Sequence, residues 1–367
     1  MNALPITERS CRIAPRGRES GLSLVELMVA MVLSLLLIAG VIQIFVSSSA
    51  TYSVNEAMAR AQENARFATR FLGRDVQLAG YSGCGRGGVT RRINVLADPV
   101  ANDLPDDVLA GVSITGDIDM SALDDRVSGV DVVESSDGVT VYAADGQELF
   151  MPEWDDDTDS IQLAGDAEHI EKGDLVVVGD CSQADVFSVT GVSSSGSGED
   201  ATTDLGHAGG DNQPTSNVCP ERDDGQLCRD WGVSPSVQRV GAWTFFIGES
   251  NGRRALYRAP ATGNGAARSL VEGVESLRIR YGVVESEAGF EQWDQAREYV
   301  AADAVDNWED VVSVKIELVV SGGEQVPDAG DQTFPVFGDA EQAHDVTEED
   351  RLMRRVSRDI TLRNRTR

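Results

Sequence analysis

ESGLSLVELMVAMVLSLLLIAG, residues 19–40, is apolar enough to lie in a bilayer yet carries a carboxylate at Glu26. The apolar run extends from Leu22 to Val46 and is broken only by Ser23, Glu26, Ser34, Gly40 and Gln43. As a helix rising about 1.5 Å per residue it spans roughly 37 Å, more than the ~30 Å hydrocarbon core of a membrane. An acid inside such a segment costs roughly 2.5–3.5 kcal/mol on insertion scales, so Glu26 calls for a partner or a function.

The flanks give the run a direction. Arg9, Arg12, Arg16 and Arg18 precede it against Glu8 and Glu19, and the first basic residue after it is Arg60. That asymmetry keeps the N-terminus in the cytoplasm and exports the rest. A secretory signal has a shorter apolar core and a small-residue cleavage site behind it; no A-x-A pattern follows Val46. Instead Val54, Ala57, Ala61, Ala65, Ala68, Leu72 and Val76 recur at helical spacing, which predicts that the helix continues in amphipathic form. One helix is expected over 22–78, its first part (22–46) in the membrane and its end near Gly80 and Gly83.

These residues carry a resemblance. A basic leader, Gly21, then LSLVEL with Glu26 at the fifth position of an apolar run, resembles the prepilin peptidase site of type IV pilins. The first residue after the cut in that family is usually phenylalanine; here it is Leu22. The resemblance implies a leader over 1–21, cleavage between Gly21 and Leu22, methylation of the new N-terminus, and an apolar helix retained on the mature chain. Glycine suits the cut because its missing side chain lets a peptidase approach the backbone. The new ammonium on Leu22, its own or a neighbour's, would pair with Glu26 at low dielectric, where an unpaired charge is costly. The plain alternative is an acid stabilised by the helix dipole.

Beyond the helix, residues 62–84, 243–259, 270–283, 308–322 and 354–365 are similar to the minor pilins called PilW, while roughly 90–235 carries no recognisable motif. Pattern predicts that this exported part, 79–367, is β-rich: VTVYAA (139–144), DLVVVGD (174–180), VFSVTGV (186–192), WTFFIG, LRIRYGV and VSVKIELVV are short and rich in β-branched or aromatic residues. The fold class is therefore α+β, a long N-terminal helix followed by a β-rich pilin-like domain. The stretch 192–214 is rich in Ser, Gly and Asp and reads as a flexible surface loop. The final residues 351–367 hold seven arginines and are expected to form a strand with Ile360 and Leu362 inward.

Cys11 precedes the apolar run, whereas Cys84, Cys181, Cys219 and Cys228 follow it. Four cysteines on the exported side read as two disulfides. Of the three pairings, Cys219 with Cys228 and Cys84 with Cys181 is favoured; the intervals are too irregular for a zinc site.

Acidic residues number 61 against 31 basic ones, a formal net charge of −30. A surface that negative repels phosphate backbones, so nucleic acid is not expected as a partner. Three chemical motifs fail on context. GCGRGG (83–88) follows a helix where a dinucleotide site needs a strand. GESNG (248–252) precedes a strand-like RRALYRA where a nucleophile elbow needs a helix, and Asn251-Gly252 is instead a hairpin signal. EWDDDTD (153–159) and AHDVTEED (343–350) lack the spacing of a calcium loop. No cofactor, metal or catalytic residue is expected, and the chain is not expected to be an enzyme.

The resemblance implies a minor pilin that helps start or cap a type IV pilus, supporting twitching motility. Its partners would be other minor and major pilins, the prepilin peptidase and the inner-membrane assembly platform. Before assembly it would sit in the inner membrane through Leu22–Val46, with its C-terminal domain in the periplasm. The rivals are a minor pseudopilin of type II secretion and a signal-anchored periplasmic binding protein.

Overall fold

A computed structural model describes residues 21, 23–81, 92–97, 113–116, 118–151, 159–180, 183–196, 198–228, 231, 235–261, 266–284, 296–326, 330, 332–346 and 350–363. Leu22, Cys11, Cys84, Cys181, the GCGRGG stretch and most of EWDDDTD lie outside the described residues. The chain divides into two compact units, Met1–Ser53 and Val54–Arg367.

Helix α1 (Leu24–Leu78) is 55 residues long. Its start coincides with Ser23, whose carbonyl accepts the Leu27 N–H at 3.1 Å, and serine is a favoured residue just ahead of a helix. It ends where Gly80 takes φ +70°, a conformation that glycine adopts without strain. The Gly80 N–H is then satisfied by the Tyr142 carbonyl at 2.7 Å.

After α1 come β1 (Arg92–Val95), β2 (Ile114–Thr115), α2 (Met120–Arg126), β3 (Asp131–Val132), β4 (Val139–Phe150), β5 (Ser160–Ala164) and β6 (Leu175–Gly179). Next are β7 (Gln183–Ser188), β8 (Gly191–Ser195), β9 (Thr202–Gly206), α3 (Thr215–Val218), β10 (Ser236–Ser250), β11 (Arg253–Pro260) and β12 (Arg268–Glu272). The chain closes with β13 (Val274–Val283), β14 (Glu298–Val300), β15 (Val311–Gln325), β16 (Pro335–Val336), β17 (Asp339–Ala343) and β18 (Arg351–Thr361). Among the described residues these strands form a twelve-stranded sheet, a four-stranded sheet ordered β14-β13-β15-β18 and the β16-β17 hairpin. The fold is thus α+β, a long N-terminal helix with an apolar first part, followed by a β-rich domain whose sheets are antiparallel except for the parallel β1-β7 pair.

Of the four apolar clusters among the described residues of the second unit, two are large. In the first, Ala61, Ala65, Ala68, Leu72 and Val76 of α1 pack with Leu277, Ile279 and Tyr281 of β13 and with Val314, Ile316, Leu318 and Val320 of β15. Alternation explains the sheet side: residues at every second position share one face. The terminal strand joins it through Ile360 and Leu362, 1% and 0% exposed. Tyr281 and Trp308 meet edge to face at 4.7 Å, a geometry that aligns ring edge with ring face.

The second core lies in the motif-free middle of the chain. Leu163, Val176, Val178, Phe187, Leu205, Leu227, Trp231 and Val237 form it. β10 serves both cores: its first residues, Ser236–Arg239, pair with β6, while Trp243–Ser250 pair with β11. A register shift between Val237 and Arg239 separates the two stretches on the side facing β4.

The stretch 192–214, expected as a flexible loop, instead holds strands. Most of β8 and all of β9 fall within it and pair antiparallel, and β9 also pairs with β5. Thr203 and Leu205 are both fully buried, so two inward side chains at alternate positions suffice to fix a strand that composition reads as loop. The hairpin at Asn251-Gly252 forms as the sequence predicts, with φ values of 53° and 70° and Ser250 opposite Arg253.

His207 sits in the middle region, with its ring edge-on to Phe187 at 5.5 Å. Burial pushes its pKa down to about 4, only partly offset by Asp159. Burial also lowers the pKa of His344. Both rings are therefore neutral in the folded chain and take protons more readily once unfolded. Their stabilising effect is complete above the unfolded value of ~6.5 and is lost as pH falls below it. We expect denaturation midpoints to hold from pH 8 to 7 and then drop, with His207 alone accounting for about 2 kcal/mol between pH 7 and 5. A His207→Phe chain should lose part of that slope; an unchanged slope would contradict the burial argument.

Candidate functional site: the N-terminal helix and its seat

The two parts of α1 do different work. In the first unit, Leu24 to Val46 is exposed throughout, with Leu37 and Phe45 both 72% exposed. The helix is long and apolar enough to cross a membrane. A contiguous apolar surface of this extent marks a contact with lipid or protein. Gly21 stands in the open with nothing within 4 Å of where a Cβ would lie. Glu26 is exposed in the first turn, where the helix dipole favours a negative charge. Among the described residues it forms no ion pair.

The second part is seated on the protein's own sheet. Its buried face is a row of small residues, Ala57, Ala61, Ala65 and Ala68, followed by Leu72, Gly73 and Val76. Small side chains let the strands approach closely. At Gly322 of β15 an added Cβ would meet the Ala57 carbonyl oxygen at 2.4 Å. Polar ties flank the row. Asn64 Nδ2 donates to the Ser321 carbonyl at 3.0 Å, and Arg358 Nη1 donates to the Thr69 carbonyl at 3.1 Å. Arg258 pairs with Asp75 at 3.8 Å and stacks over Trp243 at 4.3 Å.

The opposite face of the four-stranded sheet holds a buried polar cluster that the sequence did not reveal. His344 Nε2 lies 2.9 Å from Glu317 Oε1, and His344 Nδ1 lies 3.0 Å from Ser276 Oγ. Glu317 also accepts the Phe337 N–H at 2.7 Å. Ser, His and Glu side by side suggest a nucleophile triad, but Ser276 is 1% exposed, so a substrate cannot reach its oxygen. The cluster instead clasps the β16-β17 hairpin to β13 and β15. At a neighbouring β-bulge, Glu275 is fully buried and accepts from Ser321 Oγ at 2.7 Å, with Arg351 at 3.5 Å. Only alternation hinted at these residues; the partners lie 20 to 76 positions apart in sequence.

The disulfide Cys219–Cys228 is present, with Cα atoms 5.5 Å apart. Cys228 packs against the second core. The proposed Cys84–Cys181 pair falls outside the described residues. Among the described residues no cluster of His, Cys, Asp or Glu is arranged to hold a metal.

A model of the family described as type IV pilus-assembly protein W matches residues 244–364, the stretch that runs from mid-β10 through the sheet that seats α1. A second, for the prokaryotic N-terminal methylation motif, matches residues 16–42. The two matches together support a PilW-like type IV pilin. Neither match reaches the middle region, so the second core lies outside the PilW-matched part of the chain. No curated protein and no solved structure gives a significant match.

Proposed function

We propose that this PilW-like chain is a minor pilin, a structural subunit without enzymatic activity, that helps initiate or cap a type IV pilus. The peptidase cuts between Gly21 and Leu22, and the new N-terminus is methylated. The retained helix holds the subunit in the inner membrane, N-terminus inward and globular domain in the periplasm, until it packs with other minor and major pilins on the assembly platform. Piliation and twitching motility depend on it.

The observation that carries this reading is the division of α1. The part after Ser53 spends its small-residue face on its own sheet, while Leu24 to Val46 is left exposed. An exposed apolar helix suits lipid first and neighbouring helices afterwards. Determining the mature N-terminus by mass spectrometry tests the processing: a chain beginning at methylated Leu22 supports it, and one beginning at Met1 overturns it. Deleting the gene and scoring surface pili against secreted enzymes tests the pilus role; loss of secretion with pili intact would assign the chain to type II secretion instead.

The pairing of Glu26 with the Leu22 ammonium requires the cut chain. Glu26→Val should leave processing intact but deplete the protein from sheared pili. A loss of only about 1.4 kcal/mol per subunit contact would lower occupancy tenfold. Wild-type incorporation of the variant would remove the pairing from the mechanism.

A further inference from the structure

Among the described residues β18 is the last strand of its sheet, and its outer edge is open over most of its length. The regular register with β15, from Ser313 opposite Thr361 to Ser321 opposite Met353, fixes which backbone groups point where. Leu362 N–H donates to the Val312 carbonyl at 2.9 Å, so even-numbered residues bond inward. Odd-numbered residues direct their N–H and C=O outward. The edge begins already occupied: the Gln332 side-chain amide accepts the Met353 N–H at 3.2 Å and donates to the Arg351 carbonyl at 2.7 Å. One side chain thus imitates a neighbouring strand. Past it, the outward backbone groups of Arg355, Ser357, Asp359 and Thr361 have no partner among the described residues, and all four residues are exposed.

The charge beside this edge is opposite to that of the whole chain. Asp359 is matched by Lys315 at 3.7 Å and Arg355 faces Glu317 at 3.8 Å, but Arg354, Arg358 and Arg363 have no carboxylate partner among the described residues. Arg358 reaches the α1 backbone at Thr69, and Arg363 N–H meets the Gln77 carbonyl at 3.4 Å. Arg66, Arg70 and Arg74 of that helix are also exposed, at four-residue intervals. Among the described residues, then, a row of unfilled peptide donors and acceptors is flanked by arginines without a carboxylate partner, on a chain of net charge −30.

We propose that the β18 edge from Arg355 to Thr361 is a docking edge that accepts an extended acidic segment of a neighbouring exported subunit as an added strand. Main-chain hydrogen bonds would supply the fit and the arginines the preference for acid. Nucleic acid could use the arginines but not the alternating backbone groups, which match a peptide strand. The edge geometry is independent of the pilin reading, which supplies only the compartment of the partner.

The test places a benzophenone photo-crosslinking residue at Ser357 of the full chain in piliated cells, with Ser193 on β8 as an exposed control. The expected result is a cross-link at Ser357 and not at Ser193, to a peptide of net negative charge from another exported subunit. Ser357→Pro removes an outward N–H without touching the bonds to β15; with the cross-linker moved to Thr361, the yield should fall roughly fivefold, as for one lost hydrogen bond. If that variant unfolds, the exposed pair Arg354→Glu and Arg363→Glu must lower the yield instead. Equal labelling at Ser193, a nucleic-acid adduct, a non-acidic peptide or insensitivity to these changes overturns the proposal. A mature N-terminus at Leu22 without any Ser357 cross-link sinks the edge alone, whereas an uncut chain sinks the pilin function.

Discussion

Gly21→Arg is expected to leave the chain uncut: precursor accumulates, no species beginning at Leu22 is detected, and the protein is missing from pili. The effect is close to all-or-none because peptidases bind the residues beside the cut in extended form, with the backbone pressed against the enzyme. Glycine presents no side chain to that surface, whereas arginine brings a long charged one that would have to be buried at the membrane boundary, a costly desolvation. The fold itself is indifferent to the change. No atom lies within 4 Å of a Cβ built at Gly21, and the residue is exposed. A failure therefore reports on recognition rather than on misfolding, and the exported domain of the uncut protein should retain its normal melting temperature. Gly21→Ala should be cut slowly. Wild-type levels of trimmed Gly21→Arg protein would refute the assignment of the cut.

The same helix shows how far a sequence can be read. Its extent was legible because both of its signals are local: an unbroken apolar run, then alanines at helical spacing. The expected span of 22–78 and the observed Leu24–Leu78 differ only at the start. The Asn251-Gly252 hairpin was legible for the same reason, since both turn residues must take positive φ and these two tolerate it. What escaped reading depends on partners far away in the chain. β9 looks like loop by composition, and only its pairing with β5 and β8 gives Leu205 somewhere to go. The clasp of Ser276, Glu317 and His344 joins three segments separated by long stretches of chain, so no window of sequence contains it. The middle region shows the limit most clearly: it carries no family motif, yet it builds its own apolar core around Phe187 and Trp231.

The seat of α1 also separates what the domain does for itself from what it offers to others. Alanines at the contact give little buried area each, so the interface gains its strength from closeness, which lets backbone atoms of helix and strand touch. That arrangement tolerates no added volume. The part before Ser53 is under the opposite constraint, since its many large apolar residues are exposed. Substitutions in the two parts should therefore fail in different ways, one in the stability of the domain and the other in assembly.

Gly322→Ala is the sharpest probe of that seat. The new methyl group would lie 2.4 Å from the Ala57 oxygen, 2.7 Å from its Cα and 2.9 Å from its carbonyl carbon. All three are backbone atoms, so no rotamer change can relieve the contact; the helix or the strand must shift, and with it the Ser321 carbonyl that Asn64 holds. Overpacking in a tight core costs typically 1–3 kcal/mol, and a backbone-to-backbone clash belongs at or above the top of that range. For a unit the size of Val54–Arg367 about 3 kcal/mol lowers the melting temperature by roughly 4–5 °C. Gly191→Ala, with nothing within 4 Å of its Cβ, is the control and should change little. Because the clash is with backbone, Ala57→Gly in the same chain should not rescue stability; rescue would show that the contact is made by side chains. The Gly322→Ala chain should still be cut at Gly21, since the processing segment belongs to the other unit. A variant that melts early yet is trimmed normally would place the defect in the seat of α1, and a wild-type melting temperature would mean that β15 and the helix do not approach as closely as described.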